Sequence, residues 1–535
     1  MRLPSRNLKL VVNIFFFLSL ILSNLSAFSK ERGGTLVIGM GAGVRTLIPI
    51  LASDSASAEV CSFIFNGLLK YDKDLKLKGD LAESWEIKDG GRTLIFHLRR
   101  RVKWQDGVEF SAQDVIFTYQ KLVDPRVPTP YSGDFKRISA IKALDKYTVE
   151  VKYTHPFAPA LASWTMSIIP KHLLEDKDLS KLRFWENPIG TGPYELVRWK
   201  HQQLIELRAN KNYFEYPPFI ERVIFRIIPD SATLFLEVLS QAVDNASLTP
   251  LQYVVNAKSA LFRKNFLKFR LPSHSFIYLG YNLENPLFSD KKVRRALNFA
   301  VDKKEIVKSI YHSQALVSNG PFTPQSWAYS ESLKPASYSL EKARRLLEEA
   351  GWQDRDGDGI LEKEGKKFRF TITTNQGSFL RQKIAEIIQH QLKKVGIGVD
   401  IKVVEWSVFI ERVINQRNFD AVLLGWSLSF DPDLYDIFYS KKTAPGEFNF
   451  VGYNNPEVDK LLLAGRRTFD REKRKAIYTQ VARLIYEDQP YMFIAVPYSL
   501  SCLHRRFRGV KPARSGYFYN FIDWWVEKQE RKYMF

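Results

Sequence analysis

The sequence predicts an α/β fold divided into two or three lobes, and three observations carry this. The chain has 535 residues, more than the ~250–300 at which one hydrophobic core stops growing. Apolar residues make up 45% and charged residues 26%, a globular composition that excludes a largely disordered chain. Between Lys367 and Asp433 the pattern runs strand, helix, strand, helix, strand, which implies parallel pairing through right-handed crossovers. No stretch after residue 30 approaches the ~18 uninterrupted apolar residues of a membrane span.

Taken in order, the first 27 residues read as an export signal peptide. Arg2, Arg6 and Lys9 precede an almost wholly apolar run over residues 10–22, and small residues lead to Ala27. Cleavage there would leave the protein in a periplasmic compartment. Residues 35–38 read as a strand. Cys61 falls in an apolar helical run with Val60, Phe63 and Ile64 and reads as a buried, inert thiol. The other cysteine is Cys502, and no spacing brings the two together.

Residues 73–186 carry their own hairpin turn at Asp106-Gly107. They also carry their own helix start at Ser111, with Asp114 three residues on, and so suggest an inserted domain. Residues 194–199 and 203–208 read as a hairpin and 223–228 as a further strand. From Ser289, Val293, Ala296, Leu297, Ala300 and Val301 form the stripe of a one-sided helix. Asp302 with Glu305 opens another. A helix from Ser339 ends at Gly351, where a left-handed backbone is needed.

Phe368, Phe370 and Ile372 then alternate as a strand. A helix with Ile384, Ile388, Leu392 and Val395 inward ends at Gly396. Val399, Ile401 and Val403 form a second strand, residues 407–416 a helix, and 421–424 a third strand. Ligands of such sheets bind beyond the carboxyl ends of the strands, so loop 425–433 is the leading site.

Charge and motifs exclude several chemistries. Lys and Arg number 79 against 58 Asp and Glu, a net +21. They are scattered singly, and the densest run, residues 98–103, alternates with apolar positions, so nucleic acid is not the expected partner. Gly39-Met-Gly-Ala-Gly43 lacks the GxGxxG spacing of a dinucleotide loop and reads as a strand end. Asp354-Arg-Asp-Gly-Asp-Gly359 resembles the start of a calcium loop, but Gly365 stands where the bidentate Glu belongs, so a turn is the simpler reading. There is no HExxH, GxSxG, Walker or CxxC motif, and the eight histidines show no ligand spacing. Neither nucleophile, metal nor cofactor is expected. Aromatic content is 14%, and its presence in loops, at Trp426, Phe430 and Tyr435, fits a cleft that grips extended ligands.

Gly67-Leu-Leu, Gly79-Asp-Leu-Ala-Glu-Ser-Trp85, Phe96-His-Leu-Arg99, Trp104-Gln-Asp-Gly107 and Ser111-Ala-Gln-Asp-Val115 occur in that order. Gly190-Thr-Gly-Pro-Tyr194, Tyr281-Asn282, Val293-Arg-Arg-Ala-Leu297, Ala300-Val-Asp302, Ala350-Gly-Trp352 and Gly425-Trp426 follow. Together they resemble the signature of the extracellular solute-binding proteins of peptide/nickel ABC importers, family 5, over residues 34 to 525.

The resemblance implies a periplasmic-binding-protein-like, type II Venus-flytrap fold with two α/β lobes and an additional inserted domain. Lobe I would comprise 30–72, 187–272 and 493–528, the inserted domain 73–186, and lobe II 273–492. The hinge would lie near 272–282 and 490–500. A monomer would capture oligopeptides, without catalysis, and dock on an importer permease whose ATPase subunits are separate. Alternatives are a nickel chelate or modified peptide as solute and, from other classes, a secreted hydrolase or a holdase chaperone.

In peptide-binding relatives the ligand pairs with backbone of the Gly-Trp-x loop, here Gly425, Trp426 and Ser427, and with a segment placed near Ser55 and Ser57. Tyr281 and Asn282 complete the expected ligand-binding set. The chain departs from the pattern at Ser429, where many relatives carry an Asp that pairs with the ligand's α-ammonium. Either Asp431 or Asp433 takes that role, or the ligand has no free amine there, since an unpaired buried ammonium is costly. Asp431 also reads as a plain turn residue before Pro432. A second departure is Gln241, where relatives carry Gly; a positive φ there would cost on the order of 1 kcal/mol.

Overall fold

The computed structural model describes residues 30–179, 181–182 and 187–532; the export segment lies outside the described residues. Among these, no helix is long and apolar enough to cross a membrane.

Lobe II follows from the pattern read above. Strands Arg369–Asn375, Gly398–Val404 and Ala421–Ser427 are parallel, with Arg369–Asn375 in the middle. The first crossover therefore runs one way along the sheet and the second the other. Two right-handed crossovers of opposite sense must lie on opposite faces. Helix Phe379–Lys393 accordingly packs Ile384, Ile388 and Leu392 into one core, and the turn Phe409–Ile414 packs Phe409 and Val413 into the other. That second crossover is a short α-turn, Trp406–Val408, continuing as π-helix rather than the regular helix expected. Gly351 and Gly396 hold φ of 86° and 77°, as helix ends require.

Lobe I centres on strand Thr35–Met40, parallel to Arg222–Ile227 on one side and Asn245–Ser247 on the other. The expected hairpin is Tyr194–Lys200 with Leu204–Ala209. Helix Ser55–Ile64 seats Phe63 against Phe225 and Phe521, ring centroids 5.4 and 5.1 Å apart. The Gly190-Thr-Gly stretch passes under the end of that helix, where the Gly192 N–H donates to the Ile64 carbonyl at 2.8 Å. A Cβ at Gly190 or Gly192 would overlap Ile64 backbone.

One 14-residue strand, Tyr491–His504, runs through both lobes. Its first half pairs with Ser275–Tyr281 and Ala315–Val317, its second with Phe266–Pro272 and Asn245–Ser247. Twelve strands thus form one sheet across the molecule. The chain crosses between lobes at residues 273–274 and again near Pro497, where the Ser273 hydroxyl donates to the Pro497 carbonyl at 2.5 Å.

A separate four-stranded antiparallel sheet spans Ala82–Lys88, Thr93–Leu98, Ile138–Asp145 and Thr148–Tyr153, on its own core around Phe96, Trp104 and Trp164. Ser111 and Asp114 form the expected capping box of helix Ala112–Val123. Gln105 ties this body to lobe I, donating to the Tyr194 carbonyl at 2.7 Å and accepting from the Gly190 N–H at 3.0 Å.

Cys61 and Cys502 are buried and unbonded to each other. Gln241 has φ 63°, and its amide oxygen accepts from Lys532 at 2.9 Å. In the acidic turn, Lys367 bonds both Asp356 and Asp358, and Asp354 accepts from the Gly357 and Gly359 N–H groups, as a turn requires. The three exposed carboxylates do lie close enough together to meet one ion.

Candidate functional site

The carboxyl ends of the three parallel strands of lobe II, at Asn375, Val404 and Ser427, lie along one edge, and past Asn375 the residues Ser378 and Arg381 meet Leu248 and Pro250 of lobe I across a cavity. Strand Ala421–Ser427 pairs over its whole length with Ser275–Tyr281 on one side. On its other side it pairs with Arg369–Asn375 only at Ala421 and Val422. Among the described residues the edge over 424–427 has no strand partner. An unpaired edge of this kind is a template for an added strand.

Gly425 pairs in register with Ile277, and a Cβ at 425 would press on the Ile277 side chain at 2.9 Å. The Trp426 indole stacks nearly parallel to Tyr278, donates to the Tyr491 hydroxyl at 3.3 Å and meets Phe448 edge-on at 5.4 Å. Ser427 is exposed. Sequence reasoning missed three aromatics in this region: Phe379, Trp406 and Phe448 are 68, 48 and 45% exposed. Trp406 follows directly on the end of strand Gly398–Val404 and Phe379 opens the helix after Arg369–Asn375, so the strand-end rule pointed to both.

Several expected site residues do other work. Tyr281 is paired with Ala421, six residues from the Ser275–Ser427 end and so ~20 Å away along the strand. It is fully buried and stacks on Phe288, while the Asn282 amide donates to the Phe419 and Arg417 carbonyls. The expectation for this pair is therefore corrected: they secure the opposite edge of the sheet. Ser57 is also buried; its hydroxyl donates to Asp54 and accepts from the Arg45 and Thr46 N–H groups, which removes it from the surface. Ser55, the first residue of its helix, is exposed.

The two candidate amine anchors are both held by arginines. Asp431 receives two hydrogen bonds from the Arg474 guanidinium, at 2.6 and 2.7 Å, with both side chains nearly buried. Asp433 pairs with Arg466 at 2.7 Å. Burial pushes the Asp433 carboxyl up to about 6, against the pull of Arg466. Arg466 also donates to Asp134 of the inserted body at 2.9 Å, lies over the Tyr435 ring at 4.1 Å, and accepts the Ala158 N–H on its carbonyl at 2.7 Å. A carboxylate in a two-fold guanidinium pair has little capacity left for an ammonium. Both carboxylates that the sequence offered as amine anchors are thus already engaged by arginines. Neither Arg474 nor Arg466 was anticipated, because each lies more than thirty residues from its partner on a helix that reads as ordinary.

Phe430 leaves the same loop and crosses to lobe I, its ring 4.7 Å from Tyr71 and 4.6 Å from His274. Beyond it opens a cavity of about 650 Å³ lined by Tyr71, Tyr216 and Tyr519. A second cavity, of about 220 Å³, lies between Leu248 and Pro250 of lobe I and Ile277, Ser378 and Arg381 of lobe II. Ile277, one of its lining residues, also backs Gly425.

Comparison with known proteins agrees with this architecture. Residues 76–447 match the model of bacterial extracellular solute-binding proteins, family 5. The chain is 36% identical over 514 residues to the oligopeptide-binding protein AppA of Bacillus subtilis, covering 94% of this chain and 93% of that one. It superimposes on the structure of AppA in complex with a nonapeptide with a TM-score of 0.81, at 34% identity, over 93% of this chain and 100% of the other. NikZ from Campylobacter jejuni in complex with Ni(L-His) gives a TM-score of 0.82 at 30% identity, over 92% and 99% of the two chains. The chain belongs to the bacterial extracellular solute-binding proteins of family 5.

Proposed function

We propose that this protein captures oligopeptides in the periplasm and delivers them, chemically unaltered, to the permease of an ABC importer, acting as a monomer. The observation that carries the reading is the strand edge over 424–427, which has no strand partner among the described residues. Main-chain pairing along that edge, through Gly425, Trp426 and Ser427, binds an extended peptide whatever its side chains. Exposed Ser55 at the opposing helix start and the aromatic surfaces of Phe379, Trp406 and Phe448 would cover it. Likeness to a protein solved with a nonapeptide supports the same ligand class. A ligand that touches both lobes shifts the open–closed equilibrium toward closure, which is what a permease can read.

The test is native mass spectrometry of the purified protein beside a denatured sample. Release of a mixture of peptides on denaturation is the expected result. Release of a nickel chelate instead, or peptide cleavage during incubation, would overturn the reading.

A further inference from the structure

One flank of lobe I carries a basic and apolar surface that peptide capture does not use. From Asn245 to Leu283 the chain holds five lysines and arginines and no aspartate or glutamate. Within this stretch, helix Pro250–Val254, a tight turn Asn256–Lys258 and helix Ala260–Asn265 lead into strand Phe266–Pro272. Ala257, Phe262 and Phe266 turn inward onto the core that holds Val238 and Leu248. Leu251, Val255 and Leu261 are left facing outward, each half exposed. Leu251 and Val255 stand one helical turn apart and so share a face.

The cations lie among these side chains. Lys258, Arg263 and Lys264 are exposed on the same turn and helix. Lys268 reaches back from the strand, donating to the Tyr253 carbonyl at 2.8 Å with its ammonium 4.4 Å over the Tyr253 ring. Arg505 joins them, donating to the Arg263 carbonyl at 3.1 Å. Partial burial, and then the like charges of Lys258 and Arg263, hold the Lys268 ammonium below its usual range. Among the described residues none of these five cations has a carboxylate at ion-pair distance; the neighbouring ion pairs are Arg226 with Glu237 and Arg506 with Asp244. Crowded like charges repel, and the half-exposed aliphatic side chains among them leave apolar area in water. One kind of surface relieves both, a bilayer whose headgroups are anionic and whose acyl boundary takes Leu and Val. A nucleic acid would answer the charge but not the aliphatic side chains.

We infer that this flank of lobe I, centred on Leu251, Val255 and Leu261 with Lys258, Lys264 and Lys268 around them, docks the protein on an anionic lipid surface. The inference stands independently of the peptide reading, and it has a consequence for delivery. Leu248 and Pro250, immediately before Leu251, line the cavity where the two lobes meet. Contact through Leu251 therefore holds the seam between the lobes close to the bilayer, where the search for a membrane-embedded acceptor runs in two dimensions instead of three.

The test is cosedimentation with vesicles of the full chain from Phe28 onward, so that the apolar export segment plays no part. One set of vesicles is phosphatidylcholine alone and the other holds a quarter phosphatidylglycerol, both at about 0.1 M salt, where surface charges act over ~10 Å. The protein should bind the anionic vesicles at least tenfold more tightly and be released by added salt. Each lysine near such a surface contributes about fivefold, so Lys258→Gln with Lys264→Gln should lower affinity by ~20–30-fold. Leu251→Ser with Leu261→Ser should lower it about tenfold. Lys393→Gln with Lys394→Gln, two exposed cations of lobe II, should leave it unchanged. Every variant should keep the wild-type unfolding midpoint and peptide affinity. Failure to bind anionic vesicles overturns the inference, as does binding that the Lys258 and Leu251 pairs leave intact or that the Lys393 pair weakens equally. Binding to cell-membrane vesicles but not to vesicles of their extracted lipids would overturn it too, by assigning the flank to a membrane protein. Equally tight binding to a DNA duplex would overturn it by reducing the flank to a general polyanion site. None of these outcomes bears on the peptide reading.

Discussion

Replacing Asp431 by Asn separates a structural carboxylate from a ligand anchor. In the folded chain Asp431 accepts two charge-assisted bonds from Arg474 at 2.6 and 2.7 Å, with side chains 13 and 6% exposed. The guanidinium would keep the Gly465 carbonyl at 3.0 Å and the Tyr478 hydroxyl at 3.2 Å, neither of them charged. Removing one partner of such a pair leaves a buried charge uncompensated and costs about 3–5 kcal/mol. For a unit of roughly two hundred residues that is a fall in the unfolding midpoint of ~6–20 °C. The assay pairs thermal unfolding with binding of one peptide in free-amine and N-acetyl forms. The ratio of the two affinities should stay within twofold of wild type while stability falls. A variant of unchanged stability that loses the free-amine form alone would refute the reasoning.

Other consequences follow from single contacts. Asp134→Asn weakens the link between the inserted body and Arg466. The link joins lobe II to a body anchored on lobe I through Gln105 and so opposes their separation; loss of about 1.5–3 kcal/mol of charge-assisted bonding should quicken ligand release, followed by tryptophan fluorescence, by ~10–150-fold, and an unchanged rate would contradict that role. Trp406→Ala removes an aromatic surface that is half exposed before any ligand arrives; peptide affinity should drop by about tenfold with stability unaffected, as titration calorimetry would register. Burial raises the Glu59 carboxyl from 4.5 to about 7, with no side-chain partner among the described residues. The folded state therefore holds that proton more tightly than the unfolded one, and wild-type stability falls as pH rises through the window from 4.5 to 7. Glu59→Gln should be the more stable protein above pH 7, by about 1–3 kcal/mol in urea unfolding, and should lose the advantage below pH 4.5.

The α/β character, the parallel order of lobe II and most helix ends were legible, because periodicity and capping are local. Ser111 with Asp114, Gly351 and Gly396 each act where the pattern placed them. The motifs that carry the family resemblance were legible for the same reason that they say little about ligand. Gln105 bridges two bodies, Gly190 and Gly192 admit a helix end, and the Arg294 guanidinium serves the Phe288, Ser289 and Asp488 carbonyls. They record packing, which is also why Tyr281 and Asn282 proved to sit at the wrong end of their strand. Topology alone pointed to the loop at Gly425 as the candidate. What stayed hidden depends on pairs distant in sequence: Asp431 with Arg474, and Asp433 and Asp134 with Arg466. Counting charges along a chain cannot reveal which of them are spoken for.

Residue-resolved hydrogen exchange, with and without bound peptide, reaches the central claim most directly. If an extended ligand adds itself as a strand, the amides that face the open edge, those of Gly425 and Ser427 by the alternation of the antiparallel pair with Ser275–Tyr281, should become strongly protected when peptide is present and exchange freely when it is absent. Equal exchange of those amides in both states, with protection appearing only at side-chain contacts elsewhere, would contradict main-chain capture at this edge.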